Sequence, residues 1–128
     1  ALLLLMGDFN ETSDSELFME VLQAGSIDTA QPLINTASAL RKNTGTLKHQ
    51  QTWSIFDHIV LSRSLVDGSS AIQLKDSVMR IIDLPFLLES DEVYGGFRPF
   101  RTYRGFKYQN GFSDHLPVWI NLVVKRAN

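Results

Sequence analysis

The sequence predicts a strand-rich α/β fold of the α+β type, with a mostly antiparallel sheet and one flanking helix. Three observations lead there. Most apolar segments are short and β-patterned, only one segment carries a helical stripe with a cap, and acidic or histidine residues fall where strands begin or end.

Residues 2–6 are apolar at every position, which predicts a central strand buried on both faces. The strand ends at Gly7-Asp8-Phe9-Asn10, a turn-prone stretch. Ser13 is placed to cap a helix, and Glu16 three residues on completes a capping box. Leu17, Phe18, Val21 and Leu22 then form one apolar stripe, and Gly25 suits the C-terminal cap. Residues 29–52 are mixed and polar, broken by Pro32 and Gly45, so a loop or short helix and then the start of a hairpin are expected. Residues 55–62 read as a strand by their β-branched content, 71–74 as a weaker one, and 84–89 as a short helical turn. Residues 95–111 read as a long aromatic and basic loop, and 117–124 as a final strand.

A chain of 128 residues suits one domain with a real core. Its 44% hydrophobic and 20% charged residues mark it as globular rather than disordered. The absence of cysteine excludes disulfides and thiolate metal sites. The longest apolar run, residues 1–6, is far too short to cross a bilayer. A tight, sequence-independent DNA binder would be basic, whereas the net charge here is −2. Charge is uneven, however. Residues 1–40 hold no Lys or Arg, while 97–112 hold Arg98, Arg101, Arg104 and Lys107 and no acid. An acidic end and a basic loop can serve a cation and a phosphate. The chain also opens directly on its apolar strand, and the expectation is a piece of a longer domain.

Asp8 and Asn10 follow the first strand two residues apart, so an extended backbone points both the same way. Within 55–62, alternation groups Asp57 with Ile55, Ile59 and Leu61, and His58 with Phe56 and Val60. One of the two is therefore buried among apolar side chains and needs a partner. For Asp57 the candidates are His115 and His49. In Ser113-Asp114-His115 the adjacent side chains diverge, so Asp114 can ligate a hard cation while His115 contacts phosphate or moves a proton. Arg101 and Tyr103 in the basic loop suit a phosphate and a stacked ring. Trp119 reads as a packing residue; Trp53, just ahead of the Asp57 strand, is a candidate substrate contact. Taken singly, each motif also reads as a turn or a cap.

Together, Met6-Gly7-Asp8-Phe9-Asn10, Phe56-Asp57-His58-Ile59-Val60-Leu61-Ser62 and Ser113-Asp114-His115-Leu116-Pro117-Val118 resemble the endonuclease/exonuclease/phosphatase superfamily in order and spacing, over essentially the whole chain. The resemblance implies half of a four-layer α/β/β/α sandwich, with residues 1–128 as the C-terminal portion of one such domain. It implies hydrolysis of phosphate mono- or diesters with Mg²⁺ or Mn²⁺, on nucleic acid, a phospholipid headgroup or a sugar phosphate. Asp8 would orient or deprotonate water, Asn10 would hold phosphate, Asp57 would pair with His115, His115 would stabilise phosphoryl oxygens, and Asp114 would help bind the metal. The family's metal-binding Glu belongs to a preceding half. The expectation is therefore a chain inactive or nearly so alone, with an apolar face left for the missing half or a second copy. The rival expectation is a non-catalytic domain that binds a partner through loop 97–112.

Overall fold

Strands form where the β-branched and apolar runs lie. In the computed structural model, which describes residues 1–41 and 43–126, they are β1 (Leu4–Asp8), β2 (Ala24–Gly25), β3 (Leu33–Asn35), β4 (Leu47–His49), β5 (Thr52–Ser54), β6 (Asp57–Ser62) and β7 (Ile72–Leu74). Then follow β8 (Arg80–Ile81), β9 (Leu88–Ser90), β10 (Phe97–Pro99), β11 (Tyr103–Arg104), β12 (Lys107–Tyr108), β13 (Val118–Trp119) and β14 (Leu122–Val124). The main sheet runs β1-β6-β3-β2, and all its pairings are antiparallel except β2 with β3. Five two-stranded ribbons surround it: β4–β5, β7–β14, β8–β13, β9–β10 and β11–β12. The strand-rich, mostly antiparallel α+β expectation holds.

The main sheet buries side chains on both faces, which is the period-two pattern of β6 put to use. Ile59 and Leu61 pack with Ala37, Leu65 and Met79 on one face, joined by Leu4, Ile55 and the ribbon residues Ile72, Ile81 and Val118. Val60 packs with Phe18 and Ala24 on the other, joined by Leu5, Phe9 and Leu22. The first strand differs from its expectation in one respect. It does feed both faces, yet it is an edge strand, with Leu2, Leu3 and Met6 exposed. A free edge that is apolar on both sides is an invitation to pair with another strand.

The expected helix contracts to one π-helical turn, Leu17–Val21, closed by the Leu22 N–H donating to the Leu17 carbonyl at 2.9 Å. The capping box is not formed. Glu16 is the N-cap without a side-chain bond, and the preceding turn is organised by Thr12 Oγ1 donating to Asp14. A ten-residue segment cannot sustain a helix by itself, so burial of Phe18 sets its extent. Gln23, with φ 51°, takes the left-handed position that ends the turn. Gly25 instead lies in β2, where a Cβ would collide with the Thr29 side chain.

Two later segments also depart from expectation. The run 117–124 divides into β13 and β14, which pair with different partners, β8 and β7. The supposed loop 95–111 contains β10 and the whole β11–β12 hairpin. Two of its basic groups are ion-paired: Arg98 binds Glu89 at 2.8 Å and Asp91 at 3.5 Å, and Arg104 binds Glu89 at 3.0 Å. Asp91 also accepts the Tyr94 N–H at 3.0 Å and pairs with Lys48 at 2.8 Å, both side chains being buried.

This cluster gives the fold an acid limit. The Lys48 ammonium and the turn N–H groups hold the Asp91 carboxyl down to about 2. A depressed carboxylate contributes stability above its unfolded value, about 3.9, and loses it as pH falls through the folded value. Chemical unfolding followed from pH 5 downward should show stability falling between about pH 4 and 2, and Asp91→Asn should flatten that part of the profile. An unchanged slope in the variant would remove Asp91 from the account.

Candidate active site

The site begins with strand register. Asp8, last in β1, stands directly opposite Asp57, first in β6. Both lie at one end of the face that carries Ile59 and Leu61. Like charges directly opposite across antiparallel strands repel, so the fold carries an unfavourable pair here. Gly7, with φ 149°, precedes Asp8 in backbone space that a side chain seldom adopts.

His115 relieves part of that repulsion. Its Nδ1 lies 2.7 Å from Asp57 Oδ2, so Nδ1–H donates and Nε2 is left for a ligand. Of the two candidate partners for Asp57, the fold selects His115; His49 is exposed on β4, opposite Thr52. Ligand atoms of Asp8, Asp57 and His115 all lie within 4.8 Å of one another. The chain reaches this position by anchoring on either side. The His115 N–H donates to Ser113 Oγ at 3.1 Å, and the Leu116 N–H to the Thr46 carbonyl at 2.6 Å. Gly111 permits the approach, since a Cβ there would strike the Phe100 and Arg101 carbonyls.

Asp8 does two jobs at once. Oδ1 accepts the Asn10 N–H at 2.8 Å, fixing a turn in which Asn10 has φ 54°, and Oδ2 is the oxygen available to a ligand. The turn reading of Gly7-Asp8-Phe9-Asn10 is realised, and it leaves one carboxylate oxygen of Asp8 outside the turn bond.

His58 is the buried member of its pair, wholly enclosed against Phe9 and Phe18. Nε2–H donates to the Glu11 carbonyl at 2.7 Å, and Nδ1 accepts from Asn35 Nδ2 at 3.1 Å. The Asn35 Oδ1 in turn accepts the Ala37 N–H at 3.0 Å. Burial pushes the imidazole below its ordinary range, outweighing the opposite effect of the Glu11 bond, so the ring is held neutral. This histidine positions the 8–11 turn from behind. Sequence reasoning missed Asn35, which lies 23 residues away from His58 with no local signal.

The other sequence candidates fall elsewhere. Asp114 is exposed and outside the Asp8–Asp57–His115 cluster. It lines a cleft of about 240 Å³ with Arg101, Tyr103 and Phe112. Arg101 Nε is buried there without a hydrogen-bond partner among the described residues. Trp53 lies on β5 and lines a different, largely apolar cleft of about 430 Å³, with Met79, Ile81, Leu88 and Leu116.

Two carboxylates facing each other with solvent access suit one hard cation that retains water, since Mg²⁺ and Mn²⁺ take oxygen ligands. The imidazole, committed through Nδ1 to Asp57, suits phosphate contact better than Mg²⁺ ligation. The sequence matches the Endonuclease/Exonuclease/phosphatase family over residues 1–124. The chain belongs to this family. Searches of curated proteins and of solved structures found no match. Family membership makes the chain a phosphoesterase- or nuclease-type domain, with phosphate esters as its general substrate class. Among the described residues, no helix is long and apolar enough to cross a membrane.

Proposed function

We propose that this chain carries the metal-dependent hydrolytic site of a phosphoesterase acting on phosphate mono- or diesters. The observation that carries the reading is the opposed Asp8–Asp57 pair with His115 bonded to one member. Asp8 takes a proton from the attacking water as oxygen bonds to phosphorus. Asn10 holds a phosphate oxygen beside it. His115, kept in orientation by Asp57 and acting as an imidazolium with a proton on each ring nitrogen, donates from Nε2 to a phosphoryl oxygen as the bond to the leaving group breaks, and the leaving oxygen takes a proton from water. Asp8 and Asp57 would hold Mg²⁺ or Mn²⁺, with Asp114 in the neighbouring cleft as a further candidate ligand; the ion when bound would neutralise charge that develops on the phosphate. Arg101 and Tyr103 bind the ester in the neighbouring cleft that they line, where the guanidinium charge favours an anionic guest. Trp53, in its separate cleft, has the weakest support as a substrate contact.

The 128 residues are expected to turn over slowly by themselves, because among the described residues the cluster offers two carboxylates to an ion and one of them is committed to His115. A further carboxylate, from another segment or a second copy paired along the free edge of β1, would strengthen the site. The rival reading, a non-catalytic domain that binds a partner through the basic loop 97–112, draws little support from charge, because Arg98 and Arg104 are already ion-paired. Hydrolysis of bis-p-nitrophenyl phosphate with Mg²⁺ or Mn²⁺ tests the proposal. Slow, chelator-sensitive turnover should fall at least about 100-fold in Asp8→Ala. Turnover indifferent to that substitution would place the chemistry elsewhere, and rapid turnover by the chain alone would refute the need for another carboxylate.

A further inference from the structure

The β11–β12 hairpin ends in a turn at Gly105-Phe106, with Gly105 at φ 58°. Phe106 at its tip is 107% exposed, as open as the isolated residue. Tyr103 and Tyr108 face each other behind it, with ring centroids 5.5 Å apart. Tyr103 and Phe112 line the Arg101–Asp114 cleft, and Phe112 packs edge-on to Phe86 at 5.5 Å. An aromatic rim thus runs from Phe86 to the hairpin tip, and all its members are exposed. Patches of this kind mark interaction surfaces.

Charge indicates the occupant. A polyanion would need several free cations in a row, yet Arg98 and Arg104 are paired with Glu89, which leaves Arg101 at the cleft and Lys107 on the hairpin, and the chain carries −2 overall. The hairpin instead presents rings with polar ends, two tyrosyl hydroxyls and the Lys107 ammonium, around one bare ring. That order matches a bilayer interface, where hydroxyls and cations lie at the headgroups and an apolar ring enters the acyl boundary. We propose that the β11–β12 hairpin and its aromatic rim dock on the headgroup layer of a lipid bilayer, with Phe106 inserted. This goes beyond the phosphoesterase reading and stands or falls apart from it.

Co-sedimentation with sucrose-loaded phosphatidylcholine vesicles tests the inference. The chain should pellet with vesicles, little affected by raised salt, and Phe106→Ser should lower the partition about tenfold or more. Phe106→Trp should retain binding and be quenched by brominated lipid. His115→Ala should bind as the parent does, which separates docking from catalysis. Failure of the parent chain to pellet, equal pelleting by Phe106→Ser, or an unquenched Phe106→Trp would each overturn the proposal. So would loss of binding in salt accompanied by Phe106-dependent capture of single-stranded DNA, or a Phe106→Ser effect confined to oligomeric state.

Discussion

Asp57→Asn is expected to slow metal-dependent hydrolysis by about 10²- to 10⁴-fold while leaving the fold in place. Asp57 sits at the start of β6 with its side chain only partly buried, and its backbone pairs with Asp8 whatever the side chain. What the substitution removes is the acceptor for His115 Nδ1–H. An amide can present its NH₂ to that nitrogen instead, which forces the neutral tautomer with the proton on Nε2 and forfeits the charge that favours an imidazolium beside the phosphate. The substitution also deletes one of the two carboxylates available to a cation. The two losses are separable: the tautomer defect should persist at saturating metal, whereas the ligand defect should raise the metal concentration needed. Near-wild-type turnover by Asp57→Asn at saturating metal would dissolve the Asp57–His115 dyad as a functional unit.

The dyad also shows what the sequence made legible. Period-two alternation in 55–62 separated Asp57 from His58 correctly, because strand geometry leaves no choice once Ile59 and Leu61 are buried. It could only narrow the partner of Asp57 to His115 or His49, since that choice depends on a contact spanning 58 residues. The same non-locality hid the Asn35 tether of His58 and the acids that neutralise Arg98 and Arg104. Glu89 faces Arg98 across the β9–β10 ladder and also reaches Arg104, while Asp91 follows just beyond β9, so a segment that is basic in one dimension is partly paired in three. The flanking helix failed for a different reason. Its cap and stripe were present in the residues, but the chain had to turn at Gln23 into β2, and burial of Phe18 and Ala24 outweighed local helical preference. Asp114 suits a hard cation by its chemistry, but the divergence of adjacent side chains in Ser113-Asp114-His115 places it in the neighbouring cleft, a position that no local pattern reveals.

Phe18→Ala should destabilise the fold by about 3–5 kcal/mol, the largest stability effect expected of a single truncation here. Phe18 is wholly buried, lies between Phe9 at 5.1 Å and His58 at 4.5 Å between ring centroids, and belongs to a core cluster of only three fully buried residues. So small a cluster has few neighbours to collapse into the void, which favours the upper end of the range. The consequence extends to the site. The Phe18 ring is one wall of the His58 pocket, and His58 Nε2–H holds the Glu11 carbonyl just beyond the Asp8–Asn10 turn. His58→Leu separates packing from tethering: it keeps most of the apolar volume but leaves the Glu11 carbonyl and the Asn35 amide without their partner, at about 1–3 kcal/mol for each group that stays buried. Urea unfolding should therefore rank both variants below the parent. Near neutral pH, His58→Leu should also loosen the 8–11 turn, seen as faster amide exchange at Asn10. Its acid profile should differ as well. A buried neutral histidine loses stability as pH falls below its unfolded value near 6.5, because only the unfolded chain then takes up the proton, and the leucine variant lacks that loss. Identical acid profiles for parent and variant between pH 7 and 5 would show that His58 is not held neutral by its burial.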